Sequence, residues 1–74
     1  MIKMQYLMVI EKGENNFSAY FPDLPGCVAT GETIEEVKAN LTGALIMHLQ
    51  GLAEDNEPLP PPMAIAEYVE ATGV

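Results

Sequence analysis

The side chains of this sequence able to do chemistry are one histidine, one cysteine and eleven carboxylates, and their spacing decides what they can do. His48 falls inside an apolar stripe at helical spacing, and a general base there would need a nucleophile or acid that can be named beside it. Cys27 is the sole thiol, and a Cys27–His48 pair has no oxyanion hole or pocket offered by the surrounding sequence. One cysteine and one histidine also fall short of a metal ligand set. His48 therefore reads as a partly buried residue near a helix end. A two-metal nuclease would need its carboxylates to converge on one site. Here Glu11 and Asp23 lie at strand ends, and Glu14 lies in a hairpin. Glu32, Glu35 and Glu36 open a helix, Glu54, Asp55 and Glu57 follow it, and Glu67 and Glu70 lie in the tail. That is the distribution of solvated faces and helix caps. The glycines are too scattered to cradle a phosphate. The expectation is a binding protein, not an enzyme, with no cofactor and no metal.

Charge narrows the partner. Three basic residues against eleven acidic ones leave a net charge of −8, which repels phosphate backbones and argues against direct DNA or RNA binding. The same field draws in a basic partner and speeds encounter with it. A lone cysteine forms no internal disulfide and suits a reducing compartment. No apolar run reaches the roughly 18 residues that span a bilayer, and Met1 to Ile10 has no signal-peptide features. The expected location is cytoplasmic.

The elements that position these residues follow from periodicity. Ile2, Met4, Tyr6, Met8 and Ile10 alternate with Lys3, Gln5, Leu7, Val9 and Glu11, which predicts a first strand with an apolar core face. Its other face is polar at the ends and apolar at Leu7 and Val9. Gly13, Asn15 and Asn16 suit a hairpin loop before a second strand, Phe17 to Phe21. Pro22 stops the ladder and Pro25-Gly26 turns the chain into a short third strand, Cys27 to Thr30. Thr33 and Glu36 form a capping box. Ile34, Val37, Leu41, Ala44, Leu45, His48 and Leu52 then recur on one stripe of a helix of about five turns. Asn56 and the prolines at 58, 60, 61 and 62 end that helix and form a stiff return strap. Residues 63–71 fit either a helix or a strand; a strand beside the first is preferred, because it closes a right-handed crossover. Residues 1–74 form one domain, and a chain this short gains from oligomerising.

The segment Tyr20-Phe21-Pro22-Asp23-Leu24-Pro25-Gly26-Cys27, with Thr30-Gly31-Glu32-Thr33-Ile34-Glu35-Glu36-Val37 opening the helix, strongly resembles the HicB family of antitoxins. The resemblance covers nearly the whole chain, including Asn40-Leu41 and the proline strap. It implies an α+β, βββαβ degraded ribonuclease-H-like fold without catalytic carboxylates. An antiparallel three-stranded meander would carry one long helix on one face and a C-terminal strand beside the first. It also implies a partner, a small basic RNA-cleaving toxin of the HicA kind, whose active surface the antitoxin masks. Many HicB proteins add a C-terminal DNA-binding segment, and this chain reads as a short form that ends where one would begin. The alternative is a toxin-free, homo-oligomeric regulatory or ligand-binding module.

Two candidate surfaces follow. The Phe21–Cys27 turn reads first as a rigid structural corner, with its prolines restricting φ and Gly26 supplying a positive one. Its functional reading is a protruding contact loop whose tip, Asp23 and Leu24, meets the partner, with Glu32 adding to the same negative patch. Leu7, Val9 and Tyr20 are expected to form an oligomer interface on the face opposite the helix, building a homodimer or homotetramer.

Overall fold

The alternation of the first twenty residues becomes a short antiparallel meander. The computed structural model describes residues 4–73: β1 (Val9–Lys12), β2 (Phe17–Tyr20), β3 (Val28–Gly31) and α1 (Ile34–Glu54). The strand order is β1-β2-β3. Val9 pairs with Tyr20 and Tyr20 with Val28; Ile10 pairs with Ala19 and Ala19 with Ala29. Successive side chains point to opposite faces. The Ile10–Ala19–Ala29 row therefore packs under α1, and the Val9–Tyr20–Val28 row lies on the open face.

β1 is shorter than its periodicity predicts. Pairing begins at Val9 because its partner Tyr20 is the last residue of β2. Beyond it Pro22 and a tight turn carry the chain off the ladder: the Leu24 amide donates to the Phe21 carbonyl at 3.0 Å and the Cys27 amide to the Leu24 carbonyl at 3.1 Å. Met4 to Met8 thus run past the end of β2. Tyr6 and Met8 still pack on the core as their alternation requires, whereas Ile2 lies outside the described residues. Gly26 takes φ +85°, the left-handed conformation this turn needs.

The helix begins where its cap predicts. Thr33 Oγ1 accepts from the Glu36 amide at 3.0 Å, and Glu36 Oε1 accepts from the Glu32 amide at 3.2 Å, one residue earlier than in the usual reciprocal box. Val37 and Leu41 are fully buried. Ile34, placed on the apolar stripe, is instead 46% exposed, because it precedes the point where α1 meets the sheet. The helix comes close to β3 at Gly31, where an added Cβ would sit 2.6 Å from the Val37 nitrogen. Asn40 Nδ2 donates to the Thr30 carbonyl at 2.9 Å, tying the helix along β3. Asn56, at φ 55°, ends the helix with a 2.9 Å bond from the Glu57 amide to the Leu52 carbonyl, a Schellman closure with asparagine in glycine's usual place.

The expected C-terminal strand is not formed: residues 57–73 carry neither helix nor strand, so the architecture is βββα. Four prolines remove ladder donors. The Met63 and Ala64 amides, which would begin the strand, both donate to Asp23 Oδ2 at 3.0 Å. The Tyr6 hydroxyl, its ring edge-on to Phe21 with centroids 6.3 Å apart, donates to the Pro60 carbonyl at 2.6 Å.

Candidate partner-binding surfaces

The Asp23–Leu24 turn is not a protruding tip. Leu24 is 1% exposed and clusters with Phe21, Cys27, Val37 and Leu41. Prolines on either side hold it over the open end of the sheet, and turning it inward seals that end of the core against water. Asp23 is half-buried, and one of its oxygens already holds the strap. Nor do Asp23 and Glu32 share a patch. β3 runs between them, a separation on the order of 10 Å.

Glu32 instead joins residues that local spacing did not bring together. The register sets Lys12, Phe17 and Gly31 side by side, so the hairpin loop 13–16 lies next to the helix entrance. Glu14, Glu32 and Glu36, with Asn15, Asn16 and Asn40, line an open cleft of about 730 Å³ there. All these lining residues are exposed, and none is basic. Clefts lined by one sign of charge focus the field on an incoming ion of opposite sign. Exposed Ile34 begins the helix immediately after Glu32 and Thr33, placing an apolar side chain beside this acidic end. The sequence signal for the cleft was the hairpin loop length, which sets the pairing register.

On the open sheet face Val9 and Tyr20 are direct cross-strand partners, as their shared parity requires. Val28, 64% exposed and opposite Tyr20, extends the row and was missed. Its signal is the parity of Cys27: with that thiol buried, the next residue must face outward. Ser18, Tyr20, Val28 and Thr30 border a shallow groove of about 430 Å³. Leu7 lies in the segment before β1 and is half-buried.

Cys27 and His48 both line a groove of about 340 Å³, with Gly26, Val28, Ala44 and Met47. Burial pushes the Cys27 thiol up, away from the thiolate a nucleophile needs. Among the described residues no three His, Cys, Asp or Glu side chains are grouped to hold a metal ion. No helix among them is long and apolar enough to cross a membrane.

The chain is 36% identical over 66 residues to an uncharacterised 14.9 kDa protein from the rep-hol intergenic region of Haemophilus phage HP1, covering 89% of this chain and 50% of that protein. It is 43% identical over 47 residues to a UPF0150 protein of Helicobacter pylori, covering 64% of this chain and 65% of the relative. A UPF0150 protein of Synechocystis is 32% identical over 56 residues, covering 74% and 71%. The chain thus spans half the phage relative and about two thirds of the Helicobacter one. No solved structure matches it significantly. The family model for the HicB-like antitoxin of bacterial toxin–antitoxin systems matches residues 6–73. With nearly its whole length inside that match, from Tyr6 on the core face to Gly73 in the tail, the chain belongs to the HicB-like antitoxin family.

Proposed function

We propose that this protein binds a small basic RNA-cleaving toxin of the HicA kind and neutralises it by covering its active surface. The observation that carries the reading is the acidic cleft, where three carboxylates from two separate segments face one opening with no lysine among them. A toxin that grips RNA presents lysines and arginines, and those are the groups this cleft suits. Family membership supports a toxin partner in general and a non-enzymatic role. Ile34 takes the apolar anchor role first given to Leu24, and Glu32 keeps its place as a contact residue. Asp23 contributes indirectly, by holding the strap.

Glu14→Lys with Glu32→Lys is expected to weaken binding of a co-expressed cognate toxin by roughly a hundredfold, read by calorimetry, while the thermal midpoint stays near the wild type. Glu36 is left intact because it caps the helix. Ile34→Ala should cost a further factor of about ten. Normal toxin affinity in the double reversal overturns the reading. A toxin-free homo-oligomeric module is the second reading, favoured by the open-face row of half-buried Val9 with exposed Tyr20 and Val28; it requires that no neighbouring small basic protein bind the chain.

A further inference from the structure

The tail is the least covered part of the described chain, yet its base is held in place. Ile65 is 85% exposed, Tyr68 105% and Val69 89%, so none of these three large apolar side chains rests on its own molecule. Such a set on a monomer marks an interaction surface. The base of the tail is clamped twice, by the Tyr6 hydroxyl on the Pro60 carbonyl and by Asp23 Oδ2 on the Met63 and Ala64 amides. Pro61 and Pro62 restrict the residues before them to extended conformations. Between Asn56 and Gly73 no residue takes a positive φ, so no primed turn folds the tail back. The radius of gyration is 14.6 Å, against about 11 Å for a compact chain of this length.

At the same end of the sheet lies the surface that lacks what the tail carries. β1 is an edge strand, bonded to β2 alone, and Met4 to Met8 extend it past the end of β2 without a ladder partner. A row of unpaired backbone groups is a template for another strand. In an extended tail Ile65, Val69 and Ala71 fall on one face, with Glu67 among them, and Tyr68 falls on the other with Glu70. Backbone hydrogen bonding and apolar cover, both missing at this edge, are what such a segment supplies.

We infer that residues 64–72 of one copy pair as a strand with the β1 edge of a second copy, and that the exchange is reciprocal. A second copy is the occupant because donor and acceptor occur in the same chain, and a proline-stiffened hinge favours exchange between molecules over closure within one. Two exchanged strands, each about 30 Å long, give a two-fold interface on the scale of the roughly 1,200–2,000 Å² that stable interfaces bury. The strand missing from the monomer is thereby supplied by its neighbour.

The test uses the intact chain and light scattering after size exclusion. The wild type is expected to be dimeric at micromolar concentration. Tyr68→Glu with Val69→Glu disables the tail and leaves the edge; Leu7→Pro disables the edge outside the β1–β2 ladder and leaves the tail. Each is expected to raise the dimer dissociation constant by roughly tenfold or more, with helical circular dichroism unchanged. Mixing the two variants should form a heterodimer through the one remaining good junction, which closure within a single chain does not permit. Should Leu7→Pro fail to fold, a peptide of residues 63–73 added to wild type is expected to dissociate the dimer by occupying the edge. A monomeric wild type, wild-type dimerisation by the tail variant, or a peptide without effect overturns the inference.

Discussion

Three side chains do work that their types alone did not announce. Asp23 accepts two backbone amides on one oxygen and so joins the β2–β3 turn to a strap forty residues away in sequence. Asp23→Ala should release it, at a cost of about 1–2 kcal/mol, with the Met63 and Ala64 amides losing hydrogen-exchange protection; unchanged protection would mean that Tyr6 and Pro60 hold the strap unaided. Cys27 is the buried titratable group. Burial raises its thiol above the ordinary value of 9.0, so near that pH the unfolded chain loses a proton that the folded chain keeps. Stability from this source is therefore fully present below about pH 9 and is lost as pH rises through the folded value. Denaturation followed between neutral and alkaline pH is expected to show that decline in the wild type and its absence in Cys27→Ala. Leu24 shows what residue type leaves open: an apolar side chain between two prolines suits an anchor or a plug, and its 1% exposure decides for the plug.

Among the elements, the helix and β3 set each other's limits. Gly31 admits α1 so closely that a Cβ would meet the Val37 backbone at 2.6 and 2.9 Å, and neither atom can move without moving the helix. Gly31→Ala is expected to destabilise by roughly 1–3 kcal/mol. Gly43 sits mid-helix with nothing within 4 Å of the Cβ it lacks, so Gly43→Ala should stabilise by about 0.5–1 kcal/mol. Thermal unfolding of the two variants, one substitution with two signs, checks the packing of α1 on β3; equal effects would show that the approach is looser. The cap, stop and core-facing stripe of α1 were legible because each is local: Thr33, Asn56, Val37 and Leu41 act within a turn of where they stand. The length of β1 was not legible, because it depends on where β2 ends.

For the whole molecule the net charge of −8 acts at long range. Association with a basic partner is expected to slow steeply as salt rises, while dissociation of the bound complex changes less; stopped-flow mixing across a salt series measures both, and a salt-independent on-rate would count against electrostatic capture. The mismatch between a four-residue-strand sheet and a 21-residue helix also acts at this scale. It leaves the strap after the helix to fold back on Tyr6 and Asp23, and the tail to project. By itself the sequence determined the order of the three strands and the helix, the core parity of Tyr6, Met8, Ile10 and Ala19, the helix cap and stop, and the family. Alternation, capping and turn chemistry are read over two to five residues, within the reach of one strand step or one helical turn. Only the tertiary structure decided that Leu24 is buried, that Glu32 keeps company with Glu14 and Glu36 rather than with Asp23, and that residues 65–71 pair with no strand of their own chain. Each of these depends on which distant segments meet: strand register fixes that through backbone hydrogen bonds, and the Asp23 and Tyr6 side chains fix it by bonding a strap 40 to 54 residues away, a pairing that local spacing does not encode.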